Sequence, residues 1–320
     1  MSFLTPVAVL FGLLAAVPLA VFVRRRRRAK QIRAELGLGG GSGRSWLALA
    51  ICLASVPVLV GVAAAQPVIT STRTVPQRSD AEVFVVVDTS RSMLASSGSG
   101  EPTRFERAQE DVVALQEALQ EVPLGLASFT DRVLPHLFPT VDQRVFRETT
   151  REALGIERPP PSTSFGTNVT SLDALGVVPT LAFFAPKAKK RALVVFTDGE
   201  SQPVSTLGTD FAQGPNIDVT LVRMGDGSER IWESGVAEAG YTPDPDAAET
   251  LAAAATAVDG TVFEEGQVAD AAAAIRAAIG AGPTTPRRIE GNRQALMPYV
   301  ALLAIIPLGF VLYRRNFESG

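Results

Sequence analysis

The sequence predicts an α/β domain with a doubly wound, mostly parallel sheet, set between apolar segments. Three observations carry this. Val83-Phe84-Val85-Val86-Val87 is an apolar run with no polar interruption. Such a run suits a strand buried on both faces of a parallel sheet. Leu193-Val194-Val195-Phe196 is a second run of the same kind. Between and after them, short apolar runs alternate with helical spacing, which is the pattern of strands joined by crossover helices.

Each element can be justified in order. Phe3 to Val23 is apolar, uncharged and about long enough to span a bilayer. Arg24 to Arg28, Lys30 and Arg33 come after this run, not before it. A cleaved leader has the opposite order, so a retained helix is expected. Gly37 to Gly43 is a flexible turn. Trp46 to Ala65 is a second span, opened by an interfacial Trp and tolerating Pro57. Gln66 to Asp80 is polar and reads as a linker.

Phe105, Ala108, Val112, Leu115 and Leu119 recur at helical spacing. Leu124 to Phe129 is a short strand. Arg132 to Phe138 is an antiparallel edge strand, because Pro135 interrupts it. Asp142 starts a helix reaching Leu154. Pro159-Pro160-Pro161 cannot be helical, and the segment to Gly166 leads into a helix expected over 169–183. Strands are expected at Arg191 to Thr197, Ile217 to Met224 and Thr261 to Phe263, and helices at Ala247 to Val258 and Val268 to Ile279. Ala295 to Leu312 is a third span, followed by Tyr313-Arg314-Arg315.

The expected organisation is a membrane helix over 1–23, a basic cytoplasmic loop over 24–45 and a second helix over 46–66. A linker over 67–79 leads to the α/β domain over 80–282. A linker over 283–294, a third helix over 295–313 and a cytoplasmic tail over 314–320 complete it.

Charge is unevenly spread. Residues 80–282 hold 30 acidic and 15 basic side chains, whereas the flanks hold 15 basic and 3 acidic. An acidic domain argues against nucleic acid as a partner. The loop over 24–45 and the tail carry ten basic residues, against five beside the other ends of the spans. That bias places the loop and tail in the cytoplasm and the domain on the outer side of a multi-pass cell-membrane protein. One Cys and one His exclude an intrachain disulfide and a four-ligand zinc site of the usual nitrogen and sulfur donors.

The first central run ends in Asp88-Thr89-Ser90-Arg91-Ser92. Ligands of open α/β sheets sit at the carboxyl ends of strands. Three hard oxygen donors within five residues suit a small hard cation such as Mg2+. This Asp-x-Ser-x-Ser pattern after a buried strand resembles the von Willebrand factor type A (VWA) domain and its metal-ion-dependent adhesion site, on a Rossmann-like fold.

The resemblance covers about residues 80–282 and implies two further ligands. They are Thr167, in Ser164-Phe165-Gly166-Thr167-Asn168, and Asp198, at the end of the second central run. It implies that Ser90, Ser92 and Thr167 touch the ion directly and that Asp88 and Asp198 act largely through bound water. Mg2+ is the implied ion, with Mn2+ or Ca2+ as substitutes. A Thr at a helix entrance reads equally well as an N-cap.

Neutral hydroxyls leave such an ion electrophilic, so an Asp or Glu of a partner protein can complete its coordination. Flanking spans further resemble the bacterial Bat-type aerotolerance proteins. That likeness implies other VWA proteins and a MoxR-type ATPase system as partners.

No catalysis is expected. A haloacid-dehalogenase phosphatase would need a second Asp where Ser90 stands, and a serine hydrolase would need a nucleophile elbow and a usable His. His136, in an apolar run, reads as structural. The competing readings are a hydrolase or phosphatase of the outer membrane face, or a structural membrane protein with an unused metal site.

Overall fold

A computed structural model describes residues 2–36, 45–158 and 170–317. A 3-10 segment, Pro6–Ala15, runs into helix α1 (Ala16–Glu35), followed by α2 (Ser45–Ala64). Strands β1 (Pro67–Arg78) and β2 (Ala81–Asp88), helix α3 (Arg104–Ala118), strands β3 (Leu124–Phe129) and β4 (Val133–Thr140) and helix α4 (Gln143–Glu152) come next. After them lie β5 (Lys190–Thr197), α5 (Leu207–Gln213), β6 (Asp218–Arg223), α6 (Ala247–Ala257), β7 (Thr261–Glu264), α7 (Val268–Ile279), β8 (Thr284–Ala295) and α8 (Met297–Phe317). The chain divides into two compact units, Met1–Arg73 with Arg288–Gly320, and Thr74–Arg287.

In the first unit, three helical stretches are long and apolar enough to cross a membrane: Pro6–Ile32, Leu47–Ala64 and Met297–Phe317, with mean hydropathies of 2.5, 2.5 and 1.7. α2 packs on both the 3-10 segment and α8. A Cβ at Gly61 would collide with the backbone of Gly12, so these two segments meet backbone to backbone, as small residues allow between apolar helices.

Two expectations change here. Helix α1 does not stop at Val23, where the apolar run ends; it runs through the arginines to Glu35, since no Gly or Pro interrupts residues 19–36 and Arg is a good helix former. The segments read as linkers are strands: β1 and β8 are neighbours in a three-stranded sheet with Ser2–Phe3. The β-branched residues of Val68-Ile69-Thr70 and Thr72 favour extended backbone, and each strand supplies the other's hydrogen bonds. The turn read at Gly37 to Gly43 lies outside the described residues.

The second unit is built on a six-stranded sheet of order β7-β6-β5-β2-β3-β4, parallel except where β4 runs against β3. β2 lies at its centre, with all eight residues buried. Its side chains alternate between two apolar layers. Val83, Val85 and Val87 join Val112, Leu115, Phe146 and Ile275 on one face. Phe84 and Val86 join Leu172, Leu175, Leu207 and Leu251 on the other. Burial on both faces explains the uninterrupted run in the sequence.

Local signals agree with this frame. Thr103 and Glu106 form a reciprocal cap at the start of α3. The Asp142 carboxylate accepts from Arg144 N–H at 3.1 Å and Val145 N–H at 3.3 Å, which starts α4. β4 is an antiparallel edge strand containing Pro135. His136, half-buried on it, places Nε2 2.8 Å from Ser128 Oγ, and burial lowers its pKa.

The helix expected over 169–183 does not form. Among the described residues, Thr170–Ser171 pairs with Ser201–Gln202, Leu172–Gly176 is a 3-10 turn and Val177–Thr180 is a single helical turn. The Asp173 carboxylate accepts from the N–H groups of Ser205, Thr206 and Leu207, and Ser201 Oγ accepts from Leu172 N–H. These tertiary hydrogen bonds replace those a continuous helix would make.

The winding sets the place of the site. From β2 the chain moves to β3 and β4 on one side and returns to β5 on the other. The carboxyl ends of β2 and β5 therefore flank a topological switch point, where ligands of such sheets bind.

Candidate functional site

The register of β2 on β5 pairs Val87 with Phe196, so Asp88 lies beside Thr197 and Asp198 follows at once. Asp88 is completely buried. One of its oxygens, Oδ1, accepts from Ser90 N–H at 2.8 Å, and the other, Oδ2, from Thr197 Oγ1–H at 2.6 Å. The Thr197–Asp88 bond ties the two strand tips together, and Thr197 Oγ1 in turn accepts from Gly199 N–H at 3.1 Å within its own tip.

None of the ion pairs among the described residues involves Asp88. Burial, then the charge of Asp198, pushes its carboxyl up to about 7, against the hydrogen bonds that favour ionisation.

After Asp88 the chain enters a 3-10 turn, Arg91–Leu94, with Ser90 extended ahead of it. That geometry brings Ser90 Oγ and Ser92 Oγ to 2.9 Å. Adjacent oxygens on an octahedral Mg2+ with bonds near 2.1 Å are about 3.0 Å apart. The two hydroxyls, hydrogen-bonded to each other here, sit at a separation that neighbouring ligands of such an ion would also have.

Asp198 is also buried. Its Oδ1 accepts from Glu200 N–H at 3.0 Å and its Oδ2 from Arg104 Nη1–H at 3.0 Å. Gly199 has φ +80, and a Cβ there would press on the Ala247 carbonyl, so the turn that presents Asp198 needs glycine.

Thr167 lies outside the described residues. On either side of that stretch, Glu157 N–H donates to Thr89 O at 2.7 Å, and Ser171 N–H donates to Thr130 O at 3.1 Å. Of the five residues expected at the site, the structure brings Asp88, Ser90, Ser92 and Asp198 to the two adjoining strand tips.

Arg104 was missed by the sequence reading. Its side chain is 2% exposed, at the first position of α3. It donates from Nε to Glu229 at 2.6 Å, from Nη1 to Glu200 at 2.8 Å and Tyr241 OH at 3.2 Å, and from Nη2 to the Asp226 carbonyl at 2.8 Å. Burial opposes its charge, but Asp198 and Glu200 outweigh burial and hold its pKa above the usual value. A signal was present: a helix N-terminus disfavours a cation, so an Arg there needs another reason.

Tyr241 OH donates to Glu200 Oε1 at 2.7 Å, and burial raises the pKa of both groups, helped for Glu200 by Asp198. Arg107 bridges Glu229 to Glu265.

The linked cluster sets the carboxylates of Asp88, Asp198, Glu200, Glu229 and Glu265 against the guanidiniums of Arg104 and Arg107. Three of these carboxylates, Asp88, Asp198 and Glu229, are buried, and a surplus of negative charge of this kind is an environment that a divalent cation would fit. Among the described residues, no three His, Cys, Asp or Glu side chains group as a metal cage. A cation here would rely on Ser hydroxyls and water, which is a hard-oxygen donor set suited to Mg2+ or Mn2+.

Buried strand tips, a hydroxyl pair and two carboxylates thus meet at the switch point of a doubly wound α/β sheet. Residues 83–200, from β2 to just past the tip of β5, match the family model of the von Willebrand factor type A domain. The chain carries a VWA domain. No curated protein matches the chain.

Among solved structures, it is similar to an aerotolerance-related membrane protein from Bacteroides fragilis (TM-score 0.49, 21% identity, 62% of this chain and 98% of that one). It is also similar to BatB from Bacteroides thetaiotaomicron (TM-score 0.47, 20% identity, 62% and 97%). The manganese-loaded TRAP protein of Plasmodium vivax is a further neighbour (TM-score 0.40, 15% identity, 71% and 83%).

Proposed function

We propose that this VWA domain binds a divalent cation, Mg2+ or Mn2+, at Asp88, Ser90, Ser92, Thr167 and Asp198. Through that ion it binds an Asp or Glu of a partner protein. One observation carries the reading: the Ser90 and Ser92 hydroxyls lie 2.9 Å apart beside a buried Asp88 carboxylate that has no basic partner among the described residues. Ser90 and Ser92 would hold the ion directly, while Asp88 and Asp198 would orient its water. Thr167 enters by family resemblance, supported by the bonds that tie the chain at Glu157 and Ser171 to Thr89 and Thr130. When bound, the ion supplies an electrophilic vacancy for one more anionic oxygen. The domain's part is recognition, with no bond made or broken.

Three apolar helices support a multi-pass cell-membrane protein, and the excess of arginine in the 24–45 loop supports a cytoplasmic loop and tail. The domain would then face outward. The plan of spans around one such domain supports a Bat-type role with other VWA proteins and a MoxR-type ATPase system.

The test uses the full chain in detergent. Titration calorimetry with Mg2+ or Mn2+ is expected to show one site that Ser90→Ala weakens by about tenfold or more, as befits one lost oxygen ligand. Capture of a membrane partner should be abolished by chelator. A wild-type protein that takes up neither ion would sink the reading. Domain cleavage by external protease only after cell lysis would overturn the orientation.

A further inference from the structure

We infer that Arg104 is the positioning residue of this site: its guanidinium fixes the Asp198 carboxylate and clamps the 225–246 loop beside it. The inference rests on the adhesion-site reading for what Asp198 does, and on the described geometry for the clamp.

A buried Arg paired with a single acid would be an ordinary structural ion pair. Arg104 does more. Through Nη1 it reaches Asp198 and Glu200 after the tip of β5, and through Nε, Nη1 and Nη2 it reaches Glu229, Tyr241 and the Asp226 carbonyl in the loop. The loop is shaped to receive it. Gly225 has φ +72, and a Cβ there would overlap Arg104 and Glu229.

The same loop also grips the other tip. Ser96 and Arg230 exchange backbone hydrogen bonds at 2.9 and 3.0 Å, Trp232 Nε1–H donates to Ser96 O at 3.3 Å, and Arg91 pairs with Glu238 at 2.8 Å. One loop thus contacts the Asp-x-Ser-x-Ser segment by its own residues and Asp198 through Arg104. It therefore forms part of the surface that a partner reaching Ser90 and Ser92 would meet.

The test uses the full chain in detergent with Trp46→Phe, which leaves Trp232 as the reporter of the loop. In chelator, protease cleavage within 225–246 follows the population of the opened loop. Arg104→Lys keeps the charge but loses the fork. It is expected to raise that cleavage by about tenfold, to shift Trp232 emission to the red and to leave far-UV circular dichroism unchanged. The electron paramagnetic resonance spectrum of bound Mn2+ should change as well, because the orientation of Asp198 changes; a merely structural role would leave that spectrum alone. Tyr241→Phe, which loses the hydroxyl's bonds to Arg104 and Glu200, should raise cleavage by about two- to threefold.

Wild-type cleavage and a wild-type Mn2+ spectrum in Arg104→Lys would overturn the inference. Should that variant fail to fold, Tyr241→Phe decides: unchanged cleavage sinks the clamp. A wild-type chain that binds no Mn2+ defeats the adhesion reading, while cleavage in chelator still decides the clamp.

Discussion

Two carboxylates end two neighbouring strands, and the fold treats them in opposite ways. Asp88 and Asp198 are both buried and both accept a backbone N–H from two residues further on. Asp198 also holds a guanidinium, whereas Asp88 has only N–H and O–H donors. The difference lies in the helices and loops that follow the strands. α3 begins with an Arg directed at the tip of β5, while the tip of β2 is followed by a Ser-rich turn. A buried charge without a partner is costly, and folds retain one where something else neutralises it. The contrast teaches that the fold neutralises one strand-end acid with its own guanidinium and leaves the other to hydrogen bonds, which is where the proposed ion would act.

The largest way to break this contrast is Arg104→Met, which leaves Asp198, Glu200 and Glu229 without their shared cation. It is expected to destabilise the domain by about 3–5 kcal/mol in urea unfolding. A loss below about 1 kcal/mol would show that the pairing is dispensable.

Asp88→Asn sharpens the comparison from the other side. With chelator present at about pH 8, above the raised pKa, it is expected to raise stability by about 1 kcal/mol, the gain from removing a buried charge less the one hydrogen bond that the Asn amide nitrogen cannot accept. With saturating Mg2+ the order should reverse, since wild type alone gains from the ion. Thermal melts under both conditions check this, and a variant less stable than wild type in chelator would end the argument.

Gly125→Ala moves one tip without touching the other. Gly125 pairs with Phe84 of β2, and a Cβ there would lie 2.5 Å from the Phe84 ring, which packs edge-on to Phe183. A cost of about 1–3 kcal/mol is expected from overpacking. Loss of ion affinity without change at Arg104, read by calorimetry and by cleavage of the 225–246 loop, would separate the two tips.

Asp111, on α3, is a second poorly compensated acid. One of its oxygens, Oδ2, is buried without a hydrogen bond, and burial, then Glu265 and Glu110, push its pKa up to about 6. Its folded pKa lies above the unfolded value. The penalty is therefore full above about pH 6 and fades as pH falls toward about 4. Asp111→Asn should stabilise by about 1 kcal/mol at pH 7, after allowance for partial exposure, and by nothing near pH 4. A gain that is flat with pH would mean that charge is not the cause.

Much of the frame was legible because its signals are local. The valine run fixed β2, helical spacing fixed α3, Asp142 marked the start of α4 and Pro135 marked the edge strand. The exceptions share a cause. The 169–183 stretch has helical spacing, but Asp173 and Ser201 offer distant partners that local pattern cannot reveal. The supposed linkers became β1 and β8 because each is the other's partner across more than two hundred residues. Arg104 showed only as an ill-placed cation at a helix start; its partners were invisible for the same reason, since they lie in later loops.

By itself, the sequence determined that strands with both faces apolar must lie inside a sheet and that their polar ends must emerge at its rim. Those are consequences of side-chain burial residue by residue. Only the tertiary structure decided which two ends adjoin and which of them receives a cation from the protein. Strand order and a buried ion pair are set by contacts between residues far apart in the chain, and electrostatic energy depends on those distances and on what excludes water around them.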